Sequence, residues 1–216
     1  MPLSYRLFAP RDEPQVRAIC FETALHGEPM RSVFDDERLV SEALVGYYIR
    51  HEPESLFVAE EDGIVVGYLT ACADTRSFER SFAFGEAPRL LLRFLLRGHF
   101  LRRRTWQLLC AMLRYGRALQ GFKRTVSDDY PDHLHLNLRA SSRGKGIGSE
   151  LLRRYLECAR RRGIRGICVS TQGEEGMRFF ARAGFEVLAS FQLPSLATGS
   201  AMPSWLMGKA LTGGSP

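Results

Sequence analysis

The stretch from His133 to Leu152, HLHLNLRASSRGKGIGSELL, constrains the fold more than any other part of the chain. Its first half alternates polar and apolar residues, as a β-strand does, and its second half contains three glycines before a helix begins. A strand that enters a helix through a glycine-rich turn presents consecutive backbone N–H groups and the positive end of the helix dipole. The stretch therefore predicts an anion site suited to a pyrophosphate, with Arg143 and Lys145 adding charge. A basic surface turn that binds no ligand is the alternative.

Two other phosphate-binding motifs do not fit this turn. The P-loop pattern GxxxxGK[ST] requires Ser or Thr after its lysine, and neither follows Lys145. The Rossmann fingerprint GxGxxG lies near the first strand and is followed by an acid about 20 residues later. Here Gly144, Gly146 and Gly148 follow a GxGxG spacing late in the chain, and no such acid is placed after the next strand. A dinucleotide bound in either of these ways is therefore not expected.

The remaining pattern predicts a mixed α/β protein with the element order β-α-α-β-β, an insertion, and then β-α-β-α-β-β. The second helix is predicted over Asp35–Arg50, and a hairpin turns at Asp62-Gly63. With 216 residues, 45% of them hydrophobic, the chain is long enough for one good-sized core. Residues 1–211 are therefore expected to form a single domain, and residues 212–216 a disordered tail.

A basic insertion interrupts this order at about residues 76–128, where two helices broken near Gly98 are predicted. Residues 76–124 contain twelve Arg or Lys and two acids, a net charge of +10, so the rest carries −4 of the total +6. The favoured interpretation is a helical cap over the cleft of the domain. Contact of the insertion with another protein or a membrane surface is less favoured, and nucleic-acid contact through residues 102–104 lacks a supporting motif, so no nucleic acid is expected.

The expected compartment is the cytoplasm. The N-terminus has no apolar signal region, and no stretch approaches the length of a transmembrane span. The five cysteines have no CxxC spacing, so they are expected to be reduced thiols, mostly buried.

The turn and its surroundings resemble a known family. A strand, then [R/Q]xxGxG, then an amphipathic helix is similar to the acetyl-CoA-binding signature of the GNAT acetyltransferase superfamily, and Arg143, Gly146 and Gly148 match it. The downstream segment RFFARAGFEVL, Arg178–Leu188, resembles the helix-then-strand element of that family. The resemblance covers nearly the whole chain apart from the insertion. It implies a central, mostly antiparallel sheet splayed at strands 4 and 5, with flanking helices and a helical insertion between strands 3 and 4.

A closer likeness is carried by two stretches, EPESLFVAEEDGIVVGYLTACADTRSF and YPDHLHLNL. They are similar to the acetyltransferase-like branch that includes the C-terminal domain of O-GlcNAcases. That branch has free-standing bacterial members and also members thought to lack catalysis.

The resemblance implies an acetyl-CoA-dependent N-acetyltransferase, in which an acceptor amine attacks the thioester directly. The pantetheine arm is expected between the strand that carries Leu138 and the strand Ile167–Thr171. A small-molecule or peptide amine is the expected acceptor, and the protein is expected to be a monomer or homodimer. The implied cofactor-binding residues are Leu138, Ala140, Arg143, Gly144, Lys145, Gly146, Ile147, Gly148 and Ser149.

The sequence departs from the family pattern at two positions. The family's usual general acid is a tyrosine, and Phe180 occupies the matching position. Gly173 lies near the position of a common asparagine. A catalytically weak or inactive acyl-CoA-binding module of the same fold is therefore the alternative function.

Candidate bases lie on the strand before the turn. His133, His135 and Asn137 alternate with leucines, so they share one face, and histidine has a suitable pKa for a base near neutrality. The same face could instead be a buried polar network. Asp132 is a rival, because the family resemblance puts an acidic residue there in some members. No third ligand accompanies the two histidines, so no metal is predicted. Topology alone places four further residues on the acceptor side, namely Tyr47, Tyr48, Asp74 and Thr75.

Overall fold

A computed structural model describes residues 3–25, 27–102, 105–106, 109–110, 113, 129–195 and 200–211. The strands are β1 (Ser4–Leu7), β2 (Leu56–Glu61), β3 (Ile64–Cys72), β4 (Asp132–Leu138), β5 (Gly166–Gln172), β6 (Glu186–Pro194) and β7 (Ala201–Ala210). The helices that flank them are α1 (Glu13–Thr23), α2 (Glu37–Leu44), α3 (Gly46–His51), α4 (Thr75–Ser81), α5 (Ala87–Leu96), α6 (Ile147–Arg161) and α7 (Glu174–Arg182).

The seven strands form one sheet in the order β1-β2-β3-β4-β5-β7-β6. Every neighbouring pair is antiparallel except β4 and β5, which are parallel. These two strands pair only at Asp132–Ile167 and His133–Cys168. Residues 134–138 and 169–172, all within the described ranges, have no pairing with each other, so the strands separate there. The predicted splayed sheet is therefore confirmed.

The two faces of the sheet are covered by different helices. Helix α6 buries Leu151 and Tyr155 against one face, where they meet Leu134 of β4 and Ile167 of β5. Helix α1 covers β2 and β3 on the opposite face, with Ile19 in the centre of its contact. Since side chains alternate along a strand, each residue of β4 faces one of these two layers.

Local signals in the sequence explain several element boundaries. Asp62 and Gly63 have φ values of 52° and 81°, which a tight hairpin turn requires, so the predicted turn between β2 and β3 is confirmed. Gly98 has a φ of 67° and ends the helical segment that includes α5, as predicted.

The predicted second helix over Asp35–Arg50 is wrong as one element, because the chain forms α2 and α3 instead. Helix α2 begins after Asp36, whose side chain accepts a hydrogen bond from the N–H of Leu39 at 2.9 Å. Val45 leaves the helical region, with φ −124°, and is 1% exposed. The chain changes direction at this buried residue, and the aromatic residues of α3 then pack against the sheet.

The insertion is attached to α2 by ion pairs. Arg93 lies 3.5 Å from Glu42, and Arg102 lies 3.1 Å from Asp35. Asp36 contacts both Arg97 and His99. Part of the insertion's excess positive charge is therefore balanced by acids of the segment 35–42.

Parts of the predicted insertion, namely residues 103–104, 107–108, 111–112 and 114–128, lie outside the described residues, and so does the predicted tail 212–216. Within the described part of the chain, no helix has the length and apolar character needed to cross a bilayer.

Candidate active site

The glycine turn has the geometry that an anion site needs. Gly144 and Gly146 have φ values of 74° and 79°, a backbone conformation that side chains disfavour. A Cβ atom built on either residue would meet nothing within 4 Å, so both face open space. A ligand can therefore approach the backbone of this turn closely.

Helix α6 begins at this turn with its first amides uncapped by a side chain. Its N-cap residue is Gly146, which cannot accept a hydrogen bond through a side chain. Lys145 beside it is exposed. Gly148 allows close packing of the helix on the sheet, since a Cβ there would lie 3.3 Å from both Leu136 and Leu138. The N–H groups of Ile147 and its neighbours and the helix dipole together favour an anion at this place.

Arg143 lies at the turn, but its guanidinium is directed towards α1. Its Nη2 donates a hydrogen bond to the carbonyl oxygen of Gly27 at 2.8 Å. The structure thus uses this arginine to connect the turn to the loop after α1. Beside the backbone amides of the turn, the positive charge is therefore provided by the side chain of Lys145.

The remaining predicted cofactor residues lie along the path into the turn. Leu138 packs on Gly67 of β3, where a Cβ would lie 2.2 Å from its Cδ2 atom. Ala140 is exposed in a single 3₁₀ turn after β4. Ser149 lines a groove of about 360 Å³ between α6 and α7. Four cationic side chains also line this groove, namely Arg153, Arg160, Arg182 and Lys209.

His133 is held by hydrogen bonds at both ring nitrogens. Thr75 Oγ1 donates to the carbonyl oxygen of Pro131 at 2.8 Å, so it accepts from Nδ1–H of His133, also at 2.8 Å. Tyr48 Oη lies 2.7 Å from Nε2. Burial raises the pKa of Tyr48 well above its usual value, so its hydroxyl keeps its proton and is able to donate to Nε2. Together, Thr75 and Tyr48 hold the imidazole in a fixed orientation.

His135 lies further along β4, in the part that does not pair with β5. Its side chain is exposed, and its ring centroid is 5.7 Å from that of Tyr48 and 5.6 Å from that of His133. On β3, Thr70 lies directly opposite His135. Of the two histidines, this one is open to a ligand that enters between β4 and β5.

Asn137 belongs to a buried polar network. Its Nδ2 donates to Tyr68 Oη at 2.9 Å, and its Oδ1 accepts from Thr23 Oγ1 at 3.1 Å. The amide thereby connects β4 to β3 and to α1. At Asn137, the polar face of β4 is therefore part of a buried hydrogen-bond network, which was the alternative to a catalytic role.

Asp132 lies on the opposite face from the histidines and is fully buried. Its Oδ2 accepts a hydrogen bond from Tyr155 Oη of α6, and its Oδ1 has no partner among the described residues. Burial raises the pKa of this carboxyl well above its usual value, although the Tyr155 hydrogen bond opposes that shift. The structure therefore does not bring Asp132 together with the other candidate bases.

The two departures from the family pattern lie on α7. Phe180 is 6% exposed and packs edge-on against Phe179 and Phe185, with ring centroids 5.0 and 5.4 Å apart. Gly173 precedes α7 with a φ of 76° and has no side chain that could bind a ligand. Neither residue can donate a proton from a side chain.

Three further residues border the polar face and were not predicted. Phe78 of α4 packs against Tyr48 and His133, at centroid distances of 5.6 and 5.1 Å. Thr70 and Gln172 contribute buried polar atoms, as described below. Strand register identifies Thr70 and Gln172, and the packing of α4 identifies Phe78, and a single sequence reveals neither. Among the described residues, no group of three or more His, Cys, Asp or Glu could hold a metal ion.

An uncapped glycine turn beside a split between parallel strands defines the class of proteins that bind an acyl-carrying thiol cofactor in an α/β sheet. The model of the acetyltransferase (GNAT) family matches residues 20–185. The chain therefore belongs to the GNAT acetyltransferase family. This membership confirms the predicted cofactor, acetyl-CoA, and the residues of the turn suit its pyrophosphate.

Solved structures share this fold. SsHAT is 25% identical, with a TM-score of 0.75, and the match covers 99% of this chain and 100% of that one. The protein yncA from Salmonella typhimurium, solved with its cofactor acetyl-CoA, is 19% identical, with a TM-score of 0.63 and coverages of 100% and 98%. A polyamine N-acetyltransferase from Drosophila melanogaster, which forms N-acetylagmatine, is 14% identical, with a TM-score of 0.64 and coverages of 97% and 100%. No relative was found among curated proteins.

Proposed function

We propose that this protein is an acetyl-CoA-dependent N-acetyltransferase that transfers an acetyl group to an amine by direct attack on the thioester. The observation that carries the proposal is the gap between β4 and β5, which opens after His133 and leads to the glycine turn. Acetyl-CoA, when bound, supplies an activated acetyl thioester. The chain's own residues bind, orient and exchange protons around it.

Binding is assigned to the turn and to the facing edges of the two strands. Backbone amides from Gly144 to Gly148 bind the pyrophosphate, and Lys145 adds positive charge. The unpaired edge of β4 near Leu138 offers backbone hydrogen bonds to an inserted arm. Groove residues between α6 and α7, including Arg153 and Arg182, lie beside Ser149 and suit a phosphate-bearing end of the cofactor.

His135 is the proposed base. It is exposed and lies on the part of β4 that does not pair with β5, whereas His133 is half-buried. The imidazole of His135 removes a proton from the acceptor nitrogen as that nitrogen attacks. His133 keeps Tyr48 and Thr75 in place beside it and acts as a positioning residue.

A backbone N–H of β4 near Leu138 stabilises the negative charge that develops on the thioester oxygen. Within the described part of the chain, β4 has no strand partner on that side beyond His133, so the donor is available. No acid from α7 protonates the departing thiolate, because Phe180 takes the place of the tyrosine. Thiols have an ordinary pKa of about 8.5, so a thiolate can leave without a side-chain acid near neutrality.

Phe180 also favours the second candidate function, a catalytically weak or inactive module that binds acyl-CoA. The same alternative follows from the proposed relation to the O-GlcNAcase-like branch, which has members thought to lack catalysis. In that case the turn and the gap bind the cofactor without turnover. A small molecule or a peptide amine is the acceptor in the catalytic proposal.

The two functions are separated by one pair of measurements. Acetyl-CoA is titrated into the protein by calorimetry, and free thiol release is then followed with amines that include polyamines and peptide amides. Saturable binding with amine-dependent thiol release supports the acetyltransferase. Binding without thiol release from any amine supports the module, and the absence of binding contradicts both proposals.

A further inference from the structure

On the histidine face of the sheet, two side chains carry buried polar atoms that have no hydrogen-bond partner among the described residues. They are Thr70, through its Oγ1 atom, and Gln172, through both Oε1 and Nε2. In folded proteins such groups are rare, and each calls for a physical explanation. Gln172 is half-buried as a residue, whereas Thr70 is 1% exposed.

Strand register places both side chains on the acceptor face of the sheet. Thr70 lies opposite His135 in the antiparallel pairing of β3 with β4. His133 pairs with Cys168, so residues of β5 at even positions share the face of the histidines. Gln172 therefore lies on the same face of the sheet as the histidines, at the end of the strand that borders the other side of the gap.

Gln172 is the last residue of β5, directly before Gly173. On its other side, β5 pairs with β7, where the opposite residue is the fully buried Ser204. The Ser204 hydroxyl donates a hydrogen bond to the carbonyl oxygen of Met202 at 3.2 Å. Ser204 of β7 therefore does not provide a hydrogen-bond partner for the side-chain amide of Gln172.

We propose that Gln172 and Thr70 form a polar subsite for the acceptor, an inference that rests on the proposed acetyltransferase function. Gln172 contacts the acceptor directly, and Thr70 is reached through ordered water. A carboxamide offers two donors and an acceptor, so the matching ligand must present both kinds of group. The subsite therefore selects an amine with an adjacent amide, such as a peptide N-terminus or an amino-acid amide.

Bare polyamines fit this subsite less well. Their nitrogen atoms are protonated near neutral pH, so they donate hydrogen bonds and cannot accept one from Gln172 Nε2. That N–H would stay buried and unpaired, and a site built to bond a ligand group discriminates strongly against ligands without it. This preference separates the chain from the polyamine acetyltransferase that shares its fold.

The test compares Gln172→Leu and Gln172→Glu with the wild type, and Gln192→Leu on β6 is the matched control. Acceptor KM values are measured with alanine amide and with putrescine, alongside the acetyl-CoA Kd and the Tm. For Gln172→Leu we expect the alanine amide KM to rise about tenfold, with an unchanged acetyl-CoA Kd. Gln172→Glu keeps an acceptor but loses the donor, so the putrescine KM should fall while that of alanine amide rises.

The Tm distinguishes a ligand-binding role from a structural one. Removal of an unpaired buried amide should leave the Tm unchanged or raise it, whereas a structural hydrogen bond would make Gln172→Leu less stable than the control. A lowered Tm, or an alanine amide KM equal to that of wild type, overturns the subsite.

A failure of catalysis is recognised separately. If the wild type binds acetyl-CoA but releases no thiol, the proposed function has failed, and alanine amide is titrated into CoA-loaded protein instead. Binding that Gln172→Leu weakens about tenfold then supports the subsite. No binding, or equal binding by both proteins, overturns it.

Discussion

The glycine turn and the polar face of β4 are adjacent in sequence, but they form their sites in different ways. The turn uses backbone groups within residues 144–148, held by two left-handed glycines. The polar face uses side chains and depends on α3, α4 and β3, whose residues surround His133 and His135. The turn is a local structure, and the face is a product of tertiary packing.

In the proposed function, this difference separates cofactor binding at the turn from acceptor chemistry on the polar face. Changes in the turn should alter acetyl-CoA affinity with little effect on the acceptor. Changes on the face should alter turnover, acceptor affinity or stability, according to which neighbours a residue contacts. The predictions below change these two regions, the buried face of β4 at Asp132 and Phe180 of α7, from the largest expected effect to the smallest.

Replacement of His135 should have the largest effect on turnover. We expect His135→Gln to lower kcat by about 10²- to 10³-fold, because a positioned base contributes of that order. The acetyl-CoA Kd should not change. The measurement is kcat as a function of pH, in which the variant should lose the rise in rate that the wild type shows with deprotonation of the base.

His133→Gln is the matched change on the same face. It removes hydrogen bonds to Tyr48 and Thr75, so it should lower the free energy of unfolding by about 1–3 kcal/mol. Urea denaturation measures this loss. A larger fall in kcat for His133→Gln than for His135→Gln, in folded protein, would reverse the two assigned roles.

Gly146→Ala tests the turn against the far end of the same helix. A methyl group there would project into the open space where the pyrophosphate is proposed, and the acetyl-CoA Kd should rise about 10- to 100-fold. Gly163 follows α6, has a φ of 70° and also faces open space. Gly163→Ala therefore introduces similar strain, of about 1–2 kcal/mol, away from the turn.

Calorimetry with both glycine variants decides the outcome. Equal Kd values for Gly146→Ala and Gly163→Ala would show that the turn does not bind the cofactor.

Asp132 predicts an unusual dependence of stability on pH. Its folded-state pKa is raised above the unfolded value, so its stabilising contribution is present at low pH and is lost as pH rises. Above about pH 4, the free energy of unfolding should fall by up to about 1.4 kcal/mol per pH unit until the folded carboxyl ionises. Asp132→Asn cannot ionise, so its stability should lack this slope.

Urea denaturation of both proteins at several pH values measures the contribution of Asp132. Parallel pH profiles for wild type and Asp132→Asn would show that the carboxyl is ionised in the folded protein.

Phe180→Tyr should have the smallest effect. The new hydroxyl restores an acid at the position where the family has one, and kcat should rise by at most about tenfold at pH 7. At pH 9 the gain should vanish, because thiols of pKa about 8.5 leave as thiolates there. A gain that persists at pH 9 would indicate that the hydroxyl acts on another step.

The turn could be predicted from sequence because its residues are contiguous. Glycine spacing, the alternation before it and the helix after it all lie within 20 residues, and they predicted the anion site. Together with the downstream segment Arg178–Leu188, they carried the family resemblance, which implied the splayed sheet. The same local information predicted the hairpin at Asp62-Gly63. Helix propensity alone predicted one helix where α2 and α3 form, because the burial of Val45 between them is a tertiary effect.

The polar face could be predicted only as a set of candidates. Alternation placed three polar residues together, but their partners Thr75, Tyr48 and Tyr68 come from elements far away in sequence. Nothing in the sequence distinguished the engaged His133 from the exposed His135. The raised pKa of Asp132 follows from its burial beneath α6, which its neighbours along the chain do not indicate.

The two residue pairs that join β4 to β5 have a mechanical consequence. Strands β1–β4 and strands β5–β7 are two half-sheets connected by a short seam, and an inserted pantetheine arm would serve as the missing strand between them. We therefore expect ligand binding to increase the cooperativity of unfolding across the seam. The bound substrate would then complete the sheet of the protein between β4 and β5.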